Sequence, residues 1–154
     1  MAREMRRKDR QLSAEEAMEI LTKGEYGILS TFGTEYPYGI PVNYAVADDA
    51  IYIHGACEAG QKAENIALNG NVCFTVVGRT EVLASAFASK YESVIVLGKA
   101  EKADGEAKER ALEALIDKYS PDFQEAGMKY IHAAKDKTAV YRIAIHRITG
   151  KARR

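Results

Sequence analysis

Cysteine, histidine and proline are scarce: the 154 residues hold two, three and three of them. Cys57 and Cys73 have neither metal-type nor redox-type spacing, and without secretory features they read as reduced thiols with structural roles. No pair among His54, His132 and His146 has the spacing of metal ligands, so no metal is expected. No apolar run approaches the ~20 residues of a bilayer span, and the charged N-terminus lacks the apolar stretch of a secretory signal. A cytoplasmic protein with no membrane partner is expected. Net charge is missing too: 22 Lys and Arg face 22 Asp and Glu, leaving no global field to recruit nucleic acid or anionic lipid. There is no Ser/His/Asp set, no paired-carboxylate cleft and no cysteine nucleophile, which agrees with chemistry carried by a cofactor.

What is present fits one domain spanning residues 1–154, with 47% apolar and 29% charged residues and no repeat, linker or low-complexity tract. Charge is uneven along it. Residues 1–10 carry Arg3, Arg6, Arg7, Lys8 and Arg10 against Glu4 and Asp9, and the tail reads Lys151-Ala152-Arg153-Arg154. Solvation explains a flexible basic arm without a partner, and the balanced total argues against nucleic acid.

Ser13 followed by Glu16 predicts a capping box for a helix over 13–23, with Ala17, Ile20 and Leu21 inward and Gly24 as its stop. Residues 25–32 suit a strand. Residues 36–47 hold Pro37 and Pro41, which forbid regular pairing at two points and place that segment at an edge or bulge. Asp48-Asp49 turns the chain into a strand over 50–55, so 36–55 reads as a hairpin. A helix is predicted from Glu58 to Asn69 by the Ala63/Ile66/Ala67 spacing, then strands over 71–78 and 93–103, with a loop over 79–92 between them. Leu112, Leu115, Ile116 and Tyr119 share one face of a helix over 105–119, stopped by Ser120-Pro121. Short helical turns over 122–135 and a strand over 138–150 complete the pattern. The fold class is mainly β with α: about six strands in a small antiparallel barrel with covering helices.

Residues 50–76 are the most informative stretch. A strand ending in His54-Gly55-Ala56 runs into Gly60-Gln61-Lys62 at a helix start, which can offer backbone donors and a cation to a phosphate. A solvated helix lysine is the plain alternative for Lys62. His54 admits three roles: a donor to a ligand, a proton-transfer group, or a satisfied polar residue at a strand end.

The segments MRRKDRQLSAEEAMEIL (5–21), YPYGIPVNYAV (36–46), IYIHGA (51–56), KYESVIVLGKAE (90–101) and TAVYRIAIHRITGK (138–151) occur in an order and spacing that resembles the Nim-type, nitroimidazole-resistance branch of the pyridoxamine 5'-phosphate oxidase-like flavoproteins. The resemblance implies a six-stranded split barrel that binds FMN at a homodimer interface. The isoalloxazine would lie along Ile40-Pro41-Val42-Asn43, and the phosphate would be gripped by His54, Gly55, Ala56, Gln61 and Lys62. Phe87, Lys90, Tyr91 and Ser93 would reach the flavin from the partner copy, although Phe87 and Tyr91 equally suit interface packing.

The implied activity is FMN-dependent transfer of electrons from a reduced nicotinamide donor to a small electron-poor acceptor such as a nitroimidazole, with His54 as the candidate catalytic residue. A flavin- or haem-binding sensor or carrier without turnover is the alternative, with His54 as an axial ligand. Two departures stand out. Gln61 replaces an arginine common in relatives, and Ile40 stands where true pyridoxamine phosphate oxidases tend to have an arginine. Together with a C-terminus that stops soon after ITGK, this makes vitamin B6 oxidation an unexpected activity.

Overall fold

The computed structural model describes residues 3–57 and 60–154; the predicted helix start at Glu58 lies outside them. Among the described residues seven strands form one antiparallel sheet: β1 (Gly27–Phe32), β2 (Pro37–Val42), β3 (Tyr44–Ala47), β4 (Ala50–Ala56), β5 (Asn71–Leu83), β6 (Ala88–Ala103) and β7 (Thr138–Arg153). Four α-helices accompany them: α1 (Ala14–Lys23), α2 (Gln61–Leu68), α3 (Gly105–Tyr119) and α4 (Gln124–Ala134). The strand order is β2-β1-β5-β6-β7-β4-β3.

The seventh strand arises because the predicted segment 36–47 breaks at Asn43. Its first half pairs β1, with Pro41 opposite Ile28, and its second half pairs β4, with Tyr44 opposite Ile53. Both prolines sit on an edge strand, where a missing ladder donor is tolerated. The two edges of the sheet are therefore consecutive in the chain. The sheet curls on itself but its hydrogen-bonded ring stays open, which is a split barrel.

Alternate residues of the strands fill the interior: Leu29, Ile51, Ile53, Phe74, Val76, Val94, Val96 and Ile143 are fully buried. The Tyr44 ring meets Phe74 edge-on at 4.9 Å. Helix α1 plugs this core with Ala17 and Leu21, and its capping box forms in both directions: Glu16 N–H donates to Ser13 Oγ and Ser13 N–H to the Glu16 carboxylate. A second cluster joins Leu112, Leu115 and Ile131 of α3 and α4 to Ala45, Tyr52 and Val140 of the sheet. Among the described residues no helix is long and apolar enough to cross a membrane.

Three elements differ from expectation. Residues 124–134 form a full helix rather than isolated turns. The predicted loop 79–92 is instead a β-hairpin, in which β5 continues to Leu83, β6 begins at Ala88, and Thr80 to Leu83 pair with Tyr91 to Ala88. Strand β7 runs three residues further, to Arg153, because β6 gives it a partner to the end: Tyr91 lies opposite Arg153. The basic N-terminal residues run beside the same end of β7, where Leu12 N–H donates to the Gly150 carbonyl at 3.0 Å and Arg147 donates to the Arg3 carbonyl at 3.2 Å.

Candidate functional site

Strand β4 is buried through Ile53 and then surfaces at His54. Pairing with β3 stops at Tyr44 and Ile53, so His54, Gly55 and Ala56 bond only to β7 and their other edge is open. Lys62 of α2 reaches that edge: its Nζ donates to the His54 carbonyl at 3.3 Å. A Cβ on residue 55 would come within 2.9 Å of the same Nζ, so Gly55 makes the room that the lysine occupies. Among the described residues no side chain caps α2, whose N-cap is Gly60, and Gln61 and Lys62 stand in its first turn. Burial lowers the Lys62 ammonium below its ordinary value. Burial, and then the charge of Lys62, lowers the His54 imidazole too, which favours its neutral form.

Helix α2 is seated by a polar residue. Asn65 is buried, donates to Thr31 Oγ1 at 3.0 Å, and lies where a Cβ on Gly33 would come within 2.2 Å of its Oδ1. Ile66 points inward as expected, whereas Ala67 is exposed: the inner position belongs to Asn65, because the facing strand end offers a hydroxyl rather than apolar surface.

Along β2, Ile40 and Val42 lean on the core while Pro41 is exposed, and the edge away from β1 is open. Asn43 stands one step beyond the last β3–β4 pair, at the register position facing His54. Ile40, Pro41, Val42, Asn43, His54, Gly55, Ala56, Gln61 and Lys62 thus share one neighbourhood at the split of the barrel.

Phe87, Lys90, Tyr91 and Ser93 do not join it. Phe87 tips the hairpin in a left-handed conformation, φ 48°, and is 97% exposed. Lys90 pairs with Glu81 at 3.6 Å, and Tyr91 Oη accepts from Arg10 at 3.2 Å. Ser93 lies opposite Lys151 and lines a groove of about 430 Å³ with Ile95, Leu97 and Arg147. His54 lies opposite Val140 of the same strand β7, and at ~3.3 Å per residue the run of β7 from Val140 to Lys151 is about 36 Å in length.

A sequence profile described as pyridoxamine 5'-phosphate oxidase matches residues 13–152. The chain belongs to the pyridoxamine 5'-phosphate oxidase family. No curated protein matches it. Among solved structures, the flavocytochrome Anf3 from Azotobacter vinelandii superposes with a TM-score of 0.82 at 24% identity, over 98% of this chain and 72% of that one. The FAD and heme binding protein from Mycobacterium smegmatis gives 0.75 at 19% identity, over 93% and 73%. A candidate 5-nitroimidazole antibiotic resistance protein from Bacteroides thetaiotaomicron gives 0.74 at 22% identity, over 92% and 86%. At these identities what is shared is the fold.

One cluster in this family member was not singled out from the sequence. Lys118 Nζ donates to the Tyr44 carbonyl at 2.9 Å and sits 3.7 Å from the centroid of the Tyr44 ring. The Tyr44 N–H donates to Tyr119 Oη at 3.0 Å, Tyr119 donates to the Glu25 carbonyl at 2.5 Å, and the Tyr44 hydroxyl bonds the Leu21 carbonyl. Burial pushes Lys118 down to about 8 and pushes the Tyr44 phenol up. These groups pin the strand switch beside Asn43. Helix periodicity put Tyr119 on the apolar face of α3, where it is 37% exposed at the rim, but a partner 75 positions away leaves no local signal.

Proposed function

We propose that the protein is a cytoplasmic FMN-dependent oxidoreductase of the Nim type, passing electrons from a reduced nicotinamide donor to a small electron-poor acceptor such as a nitroimidazole. The observation that carries this reading is Lys62, its ammonium set over Gly55 at an open strand end and beside an uncapped helix start. A dianionic phosphate needs a cation and N–H donors together, and Lys62 with the first turn of α2 can supply both, so the residues present fit the phosphate end of a flavin nucleotide. Once bound, the flavin supplies the hydride and electron chemistry.

The chain's own residues bind and orient. Lys62 and the first turn of α2 hold the phosphate; Gln61, uncharged, adds less there than an arginine. The open edge of β2 from Ile40 to Asn43 offers backbone groups to the polar rim of the ring. His54, held mostly neutral, accepts a proton at a ring nitrogen. In this reading Phe87, Lys90, Tyr91 and Ser93 reach the flavin from the partner copy of a homodimer; the length of β7 between the positions that pair His54 and Ser93 supports it. Ile40 argues against vitamin B6 oxidation.

A second reading is favoured by the exposed, largely neutral His54, which can offer a nitrogen lone pair to haem iron, and by two structural neighbours named for flavin with heme or for a flavocytochrome. One absorbance spectrum of the purified protein separates the two. Flavin bands, or flavin bands acquired on titration with FMN, are expected; a Soret band abolished by His54→Ala selects the haem carrier. A colourless protein indifferent to FMN and haem overturns both.

A further inference from the structure

Asn43 joins the two edge strands β2 and β3, and what holds the chain there comes from outside the sheet. Strand β3 is last in the sheet order, so Tyr44, its first residue, has β4 on one side and helix α3 on the other. Two residues at the end of α3 take the place of a neighbouring strand. The Tyr119 hydroxyl oxygen accepts from the Tyr44 N–H at 3.0 Å and lies 3.1 Å from the Tyr44 carbonyl, which also accepts from Lys118 Nζ at 2.9 Å. Both backbone groups of Tyr44 are thus satisfied by side chains.

The rest of Tyr44 is fixed as firmly. Its side chain is fully buried, its hydroxyl bonds the Leu21 carbonyl, and a Cβ on Gly24 would come within 2.5 Å of the same oxygen. Tyr119 also donates to the Glu25 carbonyl at 2.5 Å, so the end of α1, the approach to β1, the start of β3 and the end of α3 meet at one point. Lys118 directs its ammonium at a carbonyl and two ring faces, 3.7 Å from the Tyr44 centroid and 5.3 Å from that of Tyr119. A cation held in this way orients a backbone.

We propose that Lys118 and Tyr119 are positioning residues for the flavin: by fixing Tyr44 they aim the backbone of Asn43 at the ring and so set its redox potential. The inference rests on the flavin reading and adds α3 to it, a helix from which that reading takes no residue. Backbone groups of successive strand residues point to opposite edges. With those of Tyr44 turned to α3, those of Asn43 are turned to the other side, where the end of β4 presents His54. Asn43 itself lies in none of the strand pairings, so its N–H is not committed to a ladder. An N–H aimed at the ring holds the more negative, reduced form more strongly than the oxidised form.

Tyr119→Phe removes one hydroxyl and no charge, and its effect is read twice. In the FMN-free protein the backbone amide resonance of Asn43 is expected to shift, while those of Leu29 and Phe74 in the core stay in place. In the loaded protein oxidised FMN is expected to bind within about threefold of wild type, since Lys62 is untouched, while the reduced form loses about tenfold, a fall of ~30 mV in midpoint potential for a two-electron couple. Lys118→Met should act in the same direction, and Lys118→Arg, which keeps a cation and its donors, should restore the wild-type amide and potential. These two variants carry the test if Tyr119→Phe does not fold. An Asn43 amide indifferent to the substitutions overturns the proposal, as does a potential that keeps its wild-type value although the amide moves. A wild-type protein that binds no FMN removes the flavin reading and this inference with it, whereas normal loading at an unchanged potential removes the inference alone.

Discussion

Lys62 is the residue on which the proposed chemistry turns, and its surroundings make a quantitative statement. It has no carboxylate within ion-pair distance among the described residues, its ammonium bonds only a backbone carbonyl, and burial already disfavours its charge. A bound phosphate would relieve that penalty. Lys62→Ala is therefore expected to weaken FMN binding by about 1–3 kcal/mol, the scale of a charge-assisted contact, and to leave the melting temperature of the FMN-free protein within a few degrees of wild type. Unchanged FMN titration would remove Lys62 from the site. Lys118 makes a different statement, about pH. Its folded value of about 8 lies below the ordinary 10.5, so between the two the unfolded chain keeps a proton that the folded chain has released. Stability contributed by this group rises with pH across that window. The Tyr44 phenol, raised by burial, opposes the trend above its ordinary value of 10.0, where unfolded tyrosine ionises. Between pH 8 and 10, wild type should gain stability relative to Lys118→Met, by of order 1 kcal/mol once solvent screening is allowed for. Parallel melting curves for the two proteins over that range would contradict it.

The elements legible in the sequence are those whose burial alternates. Helix α1 carries its capping box and its stop in the letters, and α3 its apolar stripe, so both lie where the pattern puts them. The hairpin of β5 and β6 was hidden because Arg79 to Val82 project past the core and are exposed on both faces, which erases the period of two. Helix α4 was hidden by its own packing: a Cβ on Gly127 would come within 2.7 Å of Ile116, so the glycine that lets α4 approach α3 also weakens its helical signature. Within the candidate site the order His54, Gly55, Lys62 could be read as a phosphate grip, but the seating of its helix could not, because Asn65 looks like any polar helix residue until Thr31 is beside it. That seating is testable at Gly33. An added methyl group would collide with the Asn65 side chain, which is buried and cannot swing away without losing Thr31. Gly33→Ala should destabilise the fold by about 1–3 kcal/mol and weaken FMN binding as α2 is displaced. Full stability with full affinity would show that α2 tolerates the shift.

Taken as a whole, the molecule would, on the proposed reading, carry two half-sites toward opposite ends of β7. Between them the outer face of the sheet is unusually apolar: Val77, Ile95 and Leu97 are 58%, 44% and 38% exposed, and the groove beside Ser93 lies against the last two. A monomer gains nothing from exposing that surface, whereas a second copy laid across it would cover the apolar residues and carry each hairpin toward the other chain's Lys62. That residues 36–47 lie at an edge or a bulge was legible from Pro37 and Pro41; which surface meets a partner was not, because outward apolar residues on β6 obey the same alternation as inward ones. Ser93→Trp probes the arrangement. The residue is outward, opposite Lys151, and an indole there fills the groove without entering the core. Light scattering and FMN titration of the variant should therefore fail together, the mass falling toward that of one chain as cofactor occupancy falls, while the circular dichroism of the sheet is retained. A variant that stays dimeric and loads FMN normally would place the flavin within a single subunit and leave Phe87, Lys90 and Tyr91 without a role in it.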